Sequence, residues 1–113
     1  RALAIRETAL GPAHPDTARS LNNLGGLLYA QGDLAGARPY FERALAIRET
    51  ALGPAHPDTA QSIWWMGTLL AQTGDLDAAR AHLERAVGIY RRTLGPTHPT
   101  TQQCERALSG LDS

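Results

Sequence analysis

The sequence predicts an all-α solenoid, in which pairs of antiparallel helices stack side by side. A nearly exact repeat is the first observation, because RALAIRETALGPAHPDTARS at 1–20 returns 42 residues later as RALAIRETALGPAHPDTAQS at 43–62. A third and more divergent copy, RAVGIYRRTLGPTHPTTQ, starts at Arg85. The second observation is an apolar period of about 3.6 residues on both sides of each turn signal. Repeats of about 20–50 residues indicate arrays of units that bury their apolar faces only by stacking.

The first helix of the first unit is expected over 15–31. Its apolar stripe at helical spacing consists of Leu21, Leu24, Gly25 and Leu28. Pro15 suits the first helical position, where a missing N–H costs nothing. Gly32 is expected to end the helix, and Asp33 is expected to cap the next one.

The second helix of this unit should end at Gly53-Pro54, a strong helix breaker. Its inner side is predicted to consist of Leu34, Ala37, Phe41, Ala44, Leu45, Ala51 and Leu52. Pro39 lies inside this helix, where it removes one backbone hydrogen bond to the carbonyl of Ala35. A local kink near the start of the helix is therefore expected.

The second unit follows the same plan, with a turn at Gly74-Asp75 and a stop at Gly95-Pro96. Its two stripes consist of Ile63, Met66, Gly67 and Leu70, and of Leu76, Ala79, Leu83, Ala86 and Val87. Gly25 and Gly67 occupy the same place in the two units, in mid-helix, where each costs about 1 kcal/mol relative to Ala. Their recurrence predicts a close approach between helices that leaves no room for a side chain.

These residues resemble the tetratricopeptide signature. Leu21-x2-Leu24-Gly25-x2-Leu28 followed by Ala37-x3-Phe41 fits its spacing, with Leu in place of the usual Trp and Tyr. The 42-residue form, with LNNL and a preceding HPDTA, is similar to the repeats of kinesin light chains and to arrays that follow bacterial signalling NTPases. The resemblance implies a right-handed superhelix of helix pairs whose first helices line a concave face.

One domain over 1–113 is expected, made of a partial second helix (1–11), two repeats (15–52 and 57–94) and a capping helix (99–111). In the last helix the apolar stripe is replaced by Glu105, Leu108, Ser109 and Asp112. A polar terminal helix of this kind closes a solenoid, so we expect it to end the array. The chain starts at an Arg inside a repeat, which predicts a longer parent protein.

The start of the chain predicts self-association. Leu3, Ile5 and Leu10 would normally pack beneath a preceding repeat. Exposed apolar strips of this kind promote contacts between copies. A homodimer or higher oligomer through the first helix is therefore expected.

Composition restricts the function classes. Lys plus Arg and Asp plus Glu are both 11, so the net charge is zero. A basic stripe for nucleic acid is thus not expected, and neither is binding to an anionic membrane surface. Cys104 is the only cysteine, which fits a reducing, cytoplasmic compartment. The sequence contains no run of about 18 apolar residues, so a membrane-spanning helix is not expected.

Neither an enzyme nor a cofactor or metal site is expected. His14, His56 and His98 recur with the repeat, but equivalent positions in stacked units lie on the order of 10 Å apart. Zinc ligands must lie about 2 Å from one ion, so these histidines are interpreted as linker residues that cap the following helices. Cys104 is expected to be a buried structural thiol, and no nucleophile or phosphate-loop motif is present.

A peptide- or protein-binding face is predicted opposite the buried stripes. Its positions are Arg19, Asn22, Asn23, Gly26 and Tyr29 in the first unit, Gln61, Trp64, Trp65, Thr68 and Gln72 in the second, and Gln103, Arg106 and Gly110 in the terminal helix. Amides suit a peptide backbone, Arg suits a carboxylate, and Trp supplies contact area. We expect Trp64 to face the groove and Trp65 to pack partly against the neighbouring unit.

Two alternatives to a peptide-binding module remain open. In the first, the repeats serve assembly alone, both tryptophans only fill space between units, and the groove has no ligand. In the second, the array is a sensor segment of a larger signalling NTPase, which the resemblance also allows.

Overall fold

The computed structural model describes residues 14–111, and within this range the chain forms five helices and no strand. The helices are α1 (Pro15–Ala30), α2 (Leu34–Leu52), α3 (Pro57–Gln72), α4 (Leu76–Thr93) and α5 (Pro99–Gly110). Each helix packs against the next, and α1 also meets α3. The predicted helical solenoid is confirmed. The partial helix at 1–11 and its Leu3, Ile5 and Leu10 lie outside the described residues.

Histidine caps begin the first helix of each pair and the terminal helix. The Nδ1 atom of His14 accepts a hydrogen bond from the backbone N–H of Asp16 at 3.0 Å. His56 does the same for Asp58 at 2.9 Å, and His98 for Thr100 at 3.1 Å. Each cap satisfies one of the free N–H groups of a helix start. The linker role predicted for the three histidines is confirmed.

Aspartate caps begin the second helices. The Oδ1 atom of Asp33 accepts from the N–H of Gly36 at 2.9 Å, and that of Asp75 from Ala78 at 3.3 Å. The residue before each aspartate is a glycine with a positive φ, 85° at Gly32 and 91° at Gly74. Only glycine adopts this conformation without steric cost. The two turns therefore match the predicted ones.

Mid-helix glycines bring the two helices of each unit close together. A Cβ atom at Gly25 would lie 2.6 Å from Cε1 of Phe41, and one at Gly67 would lie 3.1 Å from Leu83. The predicted close approach is confirmed in both units, and it is tighter in the first. This packing holds α1 and α3 with their opposite faces turned away from the core.

Burial differs from the predicted stripes at two helix ends. Near the end of α2, Ala51 was expected inside but is exposed, whereas Ile47 and Arg48 are buried. The reason is that α2 lies between α1 and α3, so a second side of the helix is covered by the next unit. Leu76, expected inside at the start of α4, is 47% exposed. The α2 helix continues through Pro39.

None of the five described helices is long and apolar enough to cross a bilayer.

Candidate functional site

Two neighbouring cavities open along the helices α1, α3 and α5. The larger, about 630 Å³, lies between α1 and α3 and is called the polar cavity. The smaller, about 470 Å³, lies between α3 and α5 and is called the aromatic cavity. Gln61 and Trp65 line both, so the cavities share a wall on α3. They form one continuous surface across the units.

The two cavities are equivalent under the 42-residue repeat. The aromatic cavity is lined by Gln61, Trp64, Trp65, Thr68, Tyr90, Thr100 and Gln103. Each of these positions is 42 residues after one that lines the polar cavity, in the same order: Arg19, Asn22, Asn23, Gly26, Arg48, Asp58 and Gln61. The repeat therefore places the same backbone positions around both cavities and supplies different side chains.

A buried guanidinium lies beneath the polar cavity. The side chain of Arg48 is only 5% exposed, and its Nη1 donates to the carbonyl oxygen of Asp58 and to Oε1 of Gln61, both at 3.0 Å. It also donates to Oγ of Ser62 at 3.1 Å, and Ser62 donates onward to Oδ1 of Asn22 at 3.4 Å. The guanidinium thus begins a chain of hydrogen bonds that runs from α2 through α3 to α1.

The charge of Arg48 is held in a desolvated place. Burial lowers the pKa of its guanidinium, while the nearby Asp58 carboxylate acts in the opposite direction. Arginine stays protonated in proteins under either influence. At the rim of the cavity, Arg19 pairs with Asp16. This pair is largely exposed, so its contribution to stability is small.

Stacked rings form the wall that the cavities share. Trp65 lies nearly parallel to Phe41, with ring centroids 5.0 Å apart and an interplanar angle of 16°. Trp65 and Tyr29 also meet edge to face, with ring centroids 5.9 Å apart and an interplanar angle of 70°. Phe41 and Tyr29 belong to the first unit, so Trp65 fixes the second unit against the first. Such pairs contribute about 0.5–1.5 kcal/mol beyond the area they bury.

The aromatic cavity has a phenol where the polar cavity has a guanidinium. Trp64 and Tyr90 meet edge to face at 6.1 Å and 76°. Burial raises the pKa of Tyr90, so the phenol stays neutral at physiological pH. Among the described residues, no charged side chain lines this cavity. The surface therefore changes from polar and charged to aromatic within one repeat.

The predicted face and the cavities overlap in most positions. Nine of the predicted residues line one or both cavities: Arg19, Asn22, Asn23, Gly26, Gln61, Trp64, Trp65, Thr68 and Gln103. Tyr29, Gln72, Arg106 and Gly110 line neither cavity. Tyr29 instead supports Trp65 from the side, Gln72 is the last residue of α3, and Arg106 lies exposed on α5.

Asn22 corrects the prediction of a fully open face. It was placed opposite the buried stripe, yet it is only 4% exposed. The cause is α3, which packs beside α1 and brings Ser62 against the Asn22 amide. The amide nitrogen of Asn22 is buried and has no hydrogen-bond partner among the described residues. Asn22 therefore belongs to the base of the polar cavity, while the neighbouring Asn23 is exposed.

Both tryptophans lie where they were expected, and Trp65 has a further contact with the groove. Trp65 does pack against the neighbouring unit, but it also lines both cavities. Trp64 lines only the aromatic cavity and packs on Tyr90 of its own unit. Consecutive residues point about 100° apart on a helix, yet both rings line the aromatic cavity.

Sequence reasoning missed six cavity residues: Pro15, Asp16, Asp58 and Thr100 at the starts of α1, α3 and α5, and the two buried ones, Arg48 and Tyr90. The last two are the most informative. Arg48 and Tyr90 lie on second helices, which were interpreted as packing elements alone. The repeat itself could have indicated them. Arg48 lies among apolar residues in RALAIRE at 43–49, and the third copy has Tyr90 at the equivalent position. A charged residue on the inner side of an amphipathic helix needs a buried partner, which points to the next unit.

Metal and thiol chemistry find no support at this site. The described residues hold no group of three or more His, Cys, Asp or Glu side chains that could bind a metal ion. Cys104 is fully buried, and burial raises the pKa of its thiol to about 12. Reactive cysteines have lowered pKa values, so this thiol is structural, as expected.

Comparison with known proteins gives the family. Two tetratricopeptide-repeat family models match the chain, one at residues 1–16 and 17–58 and the other at 58–112. A comparison with curated protein sequences finds no match.

Two solved structures have the same fold. One is a Podosopora anserina protein described as a kinesin light chain with nearly identical TPR-like repeats, at 26% identity and a TM-score of 0.88, with 96% of this chain and 52% of that one covered. The other is a point variant of the same protein, also at 26% identity and 0.88, with 96% and 51% covered. This chain thus spans about half the length of these structures. Because the family models cover nearly all of its sequence, the chain belongs to the tetratricopeptide-repeat family.

Proposed function

We propose that this chain is a protein–protein interaction module that binds an extended peptide segment of a partner along α1, α3 and α5. The tetratricopeptide repeat is in general a protein-interaction fold, which supports the broader class. The observation that carries the proposal is the pair of repeat-equivalent cavities that share Gln61 and Trp65. One ligand can contact both, because stacked units lie about 10 Å apart and about three extended residues cover that distance.

The chemistry of the surface fits a peptide. The polar cavity offers amide groups, which match the donors and acceptors of a main chain. The aromatic cavity offers half-buried rings, which can bury a large apolar side chain. A surface of this composition has the aromatic anchors and polar surround typical of interfaces with a few dominant residues. We propose no catalytic activity for it.

The test is selection of short random peptides on the immobilised chain, followed by calorimetry with the peptide that binds most tightly. Trp65→Leu, which alters the wall of both cavities, should weaken that peptide at least about 10-fold. Asn23→Ala, an exposed change in the polar cavity alone, should weaken it less. Arg38→Ala is the matched control, because Arg38 pairs with Glu42 on exposed α2 surface and lines neither cavity.

Circular dichroism must show unchanged helicity for each variant. Wild-type affinity in Trp65→Leu would count against binding in the groove. An equal loss in Arg38→Ala would mean that the peptide binds elsewhere on the chain.

A second role, assembly of the chain with further units or copies, is favoured by one observation. Leu27 on α1 is 55% exposed, whereas Leu69, its equivalent on α3, is only 1% exposed. Leu69 packs in one cluster with Ala37 and Phe41 of the preceding unit. The position is thus one that the repeat normally covers.

Sedimentation equilibrium tests this role. Assembly through α1 predicts association that grows with concentration and is lost in Leu27→Gln. Leu76→Gln is the control, because Leu76 is 47% exposed on another helix. A monomer at every concentration would exclude assembly through this face.

A further inference from the structure

The side-chain amide of Gln61 has its oxygen atom bonded to Arg48, and its nitrogen atom has no hydrogen-bond partner among the described residues. We propose that Arg48 is a positioning residue that turns the N–H donors of Gln61 toward the groove. The polar cavity then reads the main-chain carbonyl oxygens of an extended peptide, and not its carboxylates. This inference rests on the proposed function and names the part of the ligand that the cavity recognises.

The orientation of Gln61 follows from the chemistry of arginine. A guanidinium has only donors, so a neighbour at hydrogen-bond distance must present an oxygen. Oε1 of Gln61 does so, at 3.0 Å from Nη1 of Arg48. If the amide were reversed, its NH2 group would face the guanidinium and two donors would meet without an acceptor. The amide nitrogen of Gln61 is therefore left for the groove, since Gln61 is exposed and lines both cavities.

Asn22 is oriented by the same guanidinium through Ser62. The hydroxyl oxygen of Ser62 accepts from Arg48 at 3.1 Å, so its proton is available for another acceptor. That acceptor is Oδ1 of Asn22 at 3.4 Å. The Nδ2 atom of Asn22 has no partner within the described part of the chain, and the residue is only 4% exposed. Because this nitrogen atom is itself buried, Asn22 forms the base of the cavity, and Gln61 is the amide that presents its donors to a ligand.

The charges of the cavity favour a neutral acceptor. Each guanidinium already has a carboxylate beside it, since Arg19 pairs with Asp16 and the Asp58 charge acts on Arg48. A ligand carboxylate would meet these two acidic groups as well as the two basic ones. A main-chain carbonyl carries no net charge, so it gains the amide hydrogen bonds without that repulsion.

The aromatic cavity provides an internal control. Gln103 is the repeat equivalent of Gln61, but Tyr90 takes the place of Arg48 beneath it. No hydrogen bond to the Gln103 side chain is present among the described residues. The amide of Gln103 is therefore free to rotate, while that of Gln61 is held.

Side-chain amide relaxation in NMR tests the positioning role without a ligand. We expect Gln61 and Asn22 to show order parameters close to the rigid value of about 0.85, and Gln103 to fall below about 0.6. In Arg48→Met, Gln61 should drop to the range of Gln103, whereas Arg38→Met should leave it unchanged. If Arg48→Met does not fold, Arg48→Tyr takes its place, because Tyr is accepted at the equivalent position 90. Rigid Gln61 amides without Arg48 would overturn the positioning role.

Backbone ester analogues of the selected peptide test what the cavity reads. Replacing an amide by an ester weakens the carbonyl as an acceptor. We expect one or two such changes to lower the affinity of wild type about 10-fold and that of Arg48→Met less than about 2-fold. Amidation of the peptide's Asp and Glu side chains should leave the affinity unchanged.

Two results would overturn the carbonyl reading: an ester effect that is equal in both proteins, or an affinity that depends on the peptide's carboxylates. If no peptide is selected, or if Trp65→Leu does not affect binding, the proposed function fails instead. The order parameters still decide the role of Arg48 in that case.

Discussion

The polar and aromatic cavities share one backbone plan and differ in chemistry. In the polar cavity a guanidinium, a hydroxyl and an amide form a hydrogen-bonded chain: Arg48, Ser62 and Asn22. In the aromatic cavity the three equivalent positions, 42 residues later, hold Tyr90, Cys104 and Trp64. Tyr90 and Cys104 are buried in one apolar cluster, and Trp64 packs against it. All three polar groups have thus been replaced together.

The comparison shows how a repeat separates its scaffold from its recognition surface. The same caps recur in both units, with the histidine bonds at 3.0 and 2.9 Å and the aspartate bonds at 2.9 and 3.3 Å. These local features fix the helices, so they stay constant while the cavity positions vary. A buried polar chain functions only if every member has a partner, which explains why its three members change as a set.

The largest effect is expected from moving the charge into the wrong cavity. Tyr90→Arg would bury a guanidinium where Thr100 replaces the Asp58 carboxylate, Cys104 replaces the Ser62 hydroxyl, and no charged side chain lines the cavity among the described residues. An unpaired buried charge costs about 3–5 kcal/mol. Urea unfolding should show a loss of that size, or failure to fold. A loss below about 1 kcal/mol would mean that the aromatic cavity can hold a charge, which would contradict the proposed difference between the two cavities.

The reverse exchange should cost less. Arg48→Tyr removes a donor and leaves Gln61 and Ser62 without it, which costs about 1–3 kcal/mol for buried polar groups. The smaller loss is expected because Gln61 is exposed and can bind water. Urea unfolding of both variants measures the asymmetry directly. Equal losses in the two exchanges would show that packing volume, and not hydrogen bonding, distinguishes the cavities.

The sequence predicts the scaffold well because its signals are local. A histidine before a proline, an aspartate after a glycine and a glycine in mid-helix act within a few residues, and the structure confirms each of them at His56, Asp75 and Gly67. The burial of Arg48 and Asn22 could not be read in this way. Both depend on α3 of the next unit, and helical periodicity within one helix carries no information about that neighbour.

The two units also differ in how tightly their helices approach. Gly25→Ala places a Cβ 2.6 Å from Phe41, whose ring supports Trp65, whereas Gly67→Ala places one 3.1 Å from Leu83. Overpacking costs about 1–3 kcal/mol, and Ala returns about 1 kcal/mol of helix propensity. We expect Gly25→Ala to destabilise by about 1–2 kcal/mol and Gly67→Ala by less, measured by thermal unfolding. The opposite order would place the tighter interface in the second unit.

Alkaline pH should destabilise the folded chain through two buried groups beside the aromatic cavity, the thiol of Cys104 and the phenol of Tyr90. Burial raises the pKa of Cys104 from 9.0 to about 12, and it raises the pKa of Tyr90 as well. Both groups are neutral when protonated, so the unfolded chain releases these protons at lower pH than the folded chain does. Their contribution to stability is complete below about pH 9 and is lost as the pH rises toward 12.

Each such proton adds a slope of about 1.4 kcal/mol per pH unit within that window. The polar cavity has Ser62 at the position of Cys104 and adds no corresponding slope. Cys104→Ser should therefore reduce the pH dependence of urea unfolding by one proton between about pH 9 and 11. Ser62→Ala, the matched change in the polar cavity, should lower stability equally at every pH in the window. An unchanged slope in Cys104→Ser would mean that the thiol ionises in the folded chain as readily as in the unfolded one, against its burial beside Tyr90.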